Sequence, residues 1–147
     1  MLMRSRNVVL AFGISGVISG LTMSSALAAT ASGTWSNWTA NTNNMTSRSV
    51  VDNSLTRASA ETFSQTNLPP GYIGAIGRLY DGSTFALCRQ GAWTYNSAAT
   101  YYVRGHSDGV YCGAGAYYSY SISRGWDSSG SGSYQTYYNT LSPSLNF

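Results

Sequence analysis

The chain has 147 residues with eight arginines, no lysine, five acidic residues and one histidine, and 14% of it is aromatic. The arginines are scattered singly, so the net charge of +3 excludes the dense basic patch by which nucleic-acid binders engage phosphates. One histidine and two cysteines without a Cys-x-x-Cys pair give no pattern for a metal centre or a cofactor.

Arg4 and Arg6 precede an apolar run over residues 8–21, and Ala26-Leu27-Ala28 supplies a small-x-small cleavage site. Residues 1–28 therefore read as a secretory signal peptide. The apolar run is too short and too rich in Gly and Ser for a spanning helix, which needs about 20 apolar residues, so no stable membrane anchor is expected. Cleavage before Ala29 removes two arginines and none of the acids, leaving 119 residues with six arginines against five acids. In the extracellular compartment that this implies, Cys88 and Cys112 are expected to form a disulfide.

No stretch of residues 29–147 keeps the apolar spacing of an amphipathic helix beyond a turn. Short segments rich in Tyr, Thr, Val, Ile and Trp alternate instead with Gly, Asn, Asp and Ser breaks, which predicts an all-β fold. Strands are expected over residues 34–40, 45–52 and 55–64, the last two weakly patterned, ending at the stop Leu68-Pro69-Pro70-Gly71. Residues 72–80 (YIGAIGRLY) form the clearest strand, with Ile73, Ala75, Gly77 and Leu79 on one face and Tyr72, Gly74, Ile76, Arg78 and Tyr80 on the other. Asp81-Gly82 reads as a two-residue hairpin turn, followed by strands over 83–89, 92–96 and 100–104, a turn over 105–109 and a short strand over 110–112. In the strand over 116–124, Tyr118, Tyr120 and Ile122 are expected to face the core, with Tyr117 among the serines Ser119, Ser121 and Ser123 on the polar side. Residues 125–133 read as a Gly/Ser loop carrying Trp126, and 134–141 as a last, edge strand. The whole predicts one antiparallel β-sandwich of Ig-like or jelly-roll-like type over 29–147, with 29–67 its loosely patterned N-terminal part.

Nothing in the chain assembles a catalytic constellation. His106-Ser107-Asp108 holds the letters of a hydrolytic triad, but chain neighbours cannot converge as a relay does, and the segment reads as a turn. Asp81, Asp108 and Asp127 read as turn residues that bond their own backbone. Asp52 or Glu61 paired with one of them is the remaining route to a glycosidase-type carboxyl pair. Asn37-Trp38-Thr39 and Asn44-Met45-Thr46 match the glycosylation sequon. The informative feature is the aromatic load. Tyr101, Tyr118, Tyr120 and Trp93 read as core, whereas Trp126, Tyr117, Tyr137 and Tyr138 are the candidate binding residues, since Tyr and Trp present a flat apolar face with a polar tip.

At LPPGYIGAIGRLY (68–80), WTYN (93–96), CGAGAYYSY (112–120) and SPSLNF (142–147), the chain resembles small secreted proteins of actinomycete type. That resemblance implies a signal peptide, one disulfide and no catalytic residue. The expected function is a non-enzymatic interaction or adaptor module, with another secreted protein as partner and with 29–67 adding to a partner's sheet edge. The alternatives are a carbohydrate or cell-wall binding module using Trp126, Tyr117 and Tyr138, and a membrane-active toxin inserting an amphipathic hairpin.

Overall fold

A computed structural model describes residues 28–109, 112–129 and 132–147. Residues 1–27 of the signal peptide expected over 1–28 lie outside the described residues. So do Val110 and Tyr111 of the strand expected over 110–112, and Gly130 and Ser131 of the loop expected over 125–133.

The protein is all-β with antiparallel sheets. In chain order the strands are β1 (Thr30–Ser32), β2 (Ser36–Ala40), β3 (Asn43–Asp52), β4 (Arg57–Leu68), β5 (Ile73–Ile76), β6 (Arg78–Asp81) and β7 (Leu87–Gln90). They continue with β8 (Thr94–Tyr95), β9 (Thr100–His106), β10 (Ala116–Ser119), β11 (Ile122–Asp127), β12 (Ser133–Tyr138) and β13 (Leu145–Asn146). The first layer is the sheet β1-β3-β4-β9, with β2 also paired to β3. Facing it are two four-stranded sheets, β12-β11-β5-β8 and β13-β10-β6-β7. The chain runs straight from one to the other twice, from β5 to β6 through Gly77 and from β10 to β11 through Tyr120 and Ser121. Together they form a second layer packed on the first as in a sandwich.

The N-terminal part expected over 29–67 supplies β1 to β4. β4 is paired on both sides, by β3 and β9, so this segment builds the first sheet and is already engaged within the fold. The strand expected over 72–80 is interrupted at Gly77 for a steric reason. A Cβ there would lie 2.3 Å from the Ser107 amide nitrogen and 2.5 Å from the Ala58 carbonyl oxygen, so the two layers touch backbone to backbone. Gly105 repeats the contact from β9, where a Cβ would meet the Ala75 carbonyl oxygen at 2.2 Å. The expected face assignment holds in part: Ile73, Ala75 and Leu79 are buried and Tyr80 points outward, but Gly74 and Ile76 of the opposite face are buried as well.

The expected two-residue turn at Asp81-Gly82 is longer. Phe85 donates its amide to the Asp81 carbonyl and takes the left-handed φ of 60°. One Asp81 carboxylate oxygen collects the amides of Ser83 and Thr84 and the Ser83 hydroxyl. This side-chain cap holds the loop open where a glycine turn would close it. The same Asp-x-Ser cap recurs at Asp52 with Ser54 and at Asp127 with Ser129.

The interior has two apolar nuclei. Met45, Ala60, Ile73, Ala75 and Val103 form one, flanked by Trp38 and Tyr72. Val51, Ala58, Leu79 and Tyr117 form the other, against the Cys88–Cys112 disulfide, Leu145 and Phe147. In the entropy model, a disulfide spanning 24 positions stabilises the fold by about 3.5 kcal/mol.

Candidate interaction surface

Within residues 118–124 the serines, not the tyrosines, face the interior. Ser119, Ser121 and Ser123 are fully buried, while Tyr118 and Tyr120 lie on the outside of the second layer. The expected phase is therefore reversed. Where the two sheets of the second layer meet, backbone amides lack strand partners, and hydroxyls supply them. Ser49 Oγ accepts the Ser121 amide at 2.9 Å, Ser121 Oγ the Arg78 amide at 3.2 Å, and Ser142 Oγ the Ser119 amide at 2.8 Å. Ser121 Oγ in turn donates to the Ser59 carbonyl at 3.0 Å, and Thr62 Oγ1 to Ser123 Oγ at 2.6 Å. Buried amides left unpaired cost about 1–3 kcal/mol each, which is why small hydroxyls occupy positions where apolar residues were expected.

Tyr117 moves with this reversal. It is only 3% exposed, and its hydroxyl donates to the carbonyls of Cys112 and Gly113. It is a core residue beside the disulfide, not the exposed binding residue expected. Trp126 is likewise not on a loop. It lies on β11 opposite Tyr134, half-buried, in edge contact with that ring at 5.0 Å and 6.3 Å from Tyr72. Tyr137 and Tyr138 take opposite faces of the edge strand β12, as expected. Tyr137 turns inward and stacks parallel on Trp38 at 5.4 Å, and Tyr138 is 55% exposed. Tyr101, expected in the core, is 56% exposed. Trp93 is half-buried beneath the Arg124 guanidinium, 3.7 Å from its ring centre.

The outward tyrosines form a continuous row. Tyr138 contacts Tyr120 at 5.8 Å, Tyr120 contacts Tyr80 at 6.1 Å, Tyr80 stacks on Tyr118 at 5.5 Å, and Tyr118 meets Phe85 at 6.4 Å. The pairing of β6 with β10 sets Tyr80 opposite Tyr118. Phe85 stands at the end, 72% exposed, on the loop propped by Asp81. Arg78 lies over Tyr80 at 5.1 Å. Burial pushes the Tyr80 phenol above its ordinary 10.0, so the ring stays neutral at physiological pH. Tyr134 donates its hydroxyl to the Gly71 carbonyl at 2.6 Å, whereas the hydroxyls of Tyr80, Tyr118, Tyr120 and Tyr138 bond to no group among the described residues. The Asp81-x-Ser83 spacing is a sequence signal for the capped loop that presents Phe85, though not for the row itself.

The carboxylates of Asp52, Glu61, Asp81 and Asp127 have structural partners. Glu61 bonds Arg48 at 2.7 Å and sits 3.7 Å from Arg104. The Ser83 hydroxyl and the Thr84 and Ser83 amides hold the Asp81 carboxyl down at about 2, and the Ser129 hydroxyl and amide lower that of Asp127. His106 is on β9, not in a turn, and its Nδ1 lies 2.8 Å from Ser59 Oγ. Among the described residues no three His, Cys, Asp or Glu side chains converge on a metal-sized site. Comparison with protein-family models, with curated proteins and with solved structures finds no match to this chain.

Proposed function

We propose that this chain is a secreted, non-enzymatic interaction module that captures another extracellular protein on the tyrosine row of its second layer. The observation that carries the reading is the placement of that row, Phe85–Tyr118–Tyr80–Tyr120–Tyr138, outside a layer whose inner face is serine. Four aromatic hydroxyls without partners among the described residues and an arginine over one ring are the composition of an interface centre, which favours Tyr, Phe and Arg and avoids other charge. Four of the five rings stand on or beside paired strands, so little ordering entropy is lost on binding. Secretion is supported by the pattern of residues 1–28 and by the disulfide, a bond that persists outside reducing compartments. The non-enzymatic reading is supported by carboxylates already held in turns and ion pairs.

The test pairs wild type with Phe85→Ser/Tyr118→Ser in a pull-down from the culture supernatant, with light scattering of the purified protein alone. Expected is a stoichiometric companion on wild type, held about tenfold more weakly, or about 1.4 kcal/mol, by a variant with an unchanged melting temperature. Equal capture by both proteins, or self-association of wild type through this face, overturns the reading.

A further inference from the structure

The first layer carries a second surface of different chemistry. The register of the β2–β3 hairpin sets Thr39 opposite Asn44 and Asn37 opposite Thr46. The register of β3 with β4, Met45 opposite Ser64, brings Gln65 beside Asn44 on the same outer face. Asn44 Nδ2 donates to Gln65 Oε1 at 3.0 Å, and Thr46 Oγ1 to Asn37 Oδ1 at 2.9 Å. Each pair fixes its members and leaves donors and acceptors over: Asn37 Nδ2, Gln65 Nε2, Asn44 Oδ1 and the Thr39 hydroxyl. These side chains, with Trp38 and Met45, line an open depression of about 380 Å³ that contains no charged residue.

The next row of the sheet is aromatic. Phe63 lies directly opposite Thr46. It contacts Trp35 edge-on at 5.2 Å, Tyr102 at 4.5 Å and Tyr101 at 6.3 Å. Trp35 and Tyr101 are 44% and 56% exposed. The nearest cation, Arg48, is occupied by Glu61 and by the Trp35 ring.

We propose that this face binds an uncharged oligosaccharide. A sugar ring offers C–H bonds on its faces and hydroxyls, each both donor and acceptor, on its rim. The negative face of an aromatic ring attracts the first, and an array of amides and hydroxyls matches the second. An anionic ligand would need a free positive charge, and the depression has none. The site lies on the first layer, away from the tyrosine row, so the two surfaces are independent.

The test titrates the purified protein with cellohexaose, chitohexaose, xylohexaose and maltohexaose, followed by calorimetry and by amide chemical shifts. At least one of the four is expected to bind with Kd below about 1 mM and to shift the amides of residues 37–46. Asn44→Ala/Gln65→Ala, and separately Tyr101→Ala, should each weaken it about tenfold without changing the melting temperature, these side chains being exposed. Tyr118→Ala should leave it unchanged. Absence of binding by all four sugars, binding that survives both sets of substitutions, or binding lost with Tyr118→Ala overturns the proposal.

Discussion

Residues 116–127 present two opposed chemistries from one stretch of chain. From Ser119 to Gly125 every second side chain is a buried hydroxyl or glycine, Ser119, Ser121, Ser123 and Gly125, with the buried Tyr117 and Asp127 at either end of that set, and those between are large: Tyr118, Tyr120, Ile122, Arg124 and Trp126. In a wide sandwich the large apolar set would turn inward, because burying an aromatic side chain stabilises by about 1.5–3 kcal/mol. At the junction of the two sheets the layers touch backbone to backbone at Gly77 and Gly105, so the space there does not admit a ring, whereas Tyr117 is accommodated beside the disulfide. The amides at the junction of the two sheets also need partners that a ring cannot supply. Interlayer distance and amide accounting decide the phase, and hydropathy does not.

The largest effect should come from forcing a large side chain into the inner set. Ser121→Leu removes the acceptor of the Arg78 amide and the donor to the Ser59 carbonyl, and it overpacks a closed space. The two unsatisfied groups and the strain together cost about 3–5 kcal/mol, a large part of the 5–15 kcal/mol typical of a domain. Urea denaturation is expected to find Ser121→Leu mostly unfolded or far less stable. Wild-type stability in that variant would mean that the layers can part and that the reversal has another cause.

A pair of neighbouring tyrosines divides the two faces more finely. Tyr117→Phe deletes a hydroxyl bonded to two carbonyls beside the disulfide and should cost about 1 kcal/mol. Tyr118→Phe deletes one with no partner among the described residues and should leave stability within about 0.5 kcal/mol. The companion capture of the tyrosine row should respond in the opposite order, with Tyr118→Phe the more affected. Equal melting temperatures for the two variants would remove the distinction between a structural and a presented tyrosine.

Most of the architecture was legible. Polar, proline and glycine breaks and alternating Ile, Ala, Leu and Val gave the all-β class, the strand around 72–80 with its Ile73–Ala75–Leu79 face and the break around Asn41, and the cysteine pair gave the Cys88–Cys112 bond. Alternation alone could not say which face of 116–124 is inside, because period 2 defines two faces and leaves their choice to the partner layer. The role of Trp126 was missed because Gly and Ser around it read as a loop, although Trp126 pairs in register with Tyr134. The capping carboxylates were read correctly at Asp81 and Asp127, where a short polar side chain beside Ser can serve its own backbone. The tyrosine row joins β6, β10, β12 and the loop before β7. No sequence pattern reports that juxtaposition.

Ser59 offers the gentlest probe, since it is a buried serine on the outer side of the first sheet. Its hydroxyl pairs with His106 opposite it on β9; Arg57 on β4, Arg104 on β9 and Asp52 opposite Arg57 on β3 stand on the same outer face. Burial first, then the charges of Arg57 and Arg104, hold His106 below the ordinary 6.5. The folded protein thus disfavours the imidazolium, and between the depressed value and 6.5 the unfolded chain binds more protons. Stability from this group is complete above pH 6.5 and is lost as pH falls through the folded value. Asp81 adds a separate loss between 3.8 and about 2, and Asp127 a loss below 3.8, where carboxylates held in their turns must take up protons. Melting temperatures across pH 7.5 to 3 should therefore fall in two steps for wild type, and His106→Gln should lack the upper step while keeping the lower. A variant curve parallel to wild type throughout would mean that His106 does not titrate against its surroundings, and that the outer serine is buried by packing alone.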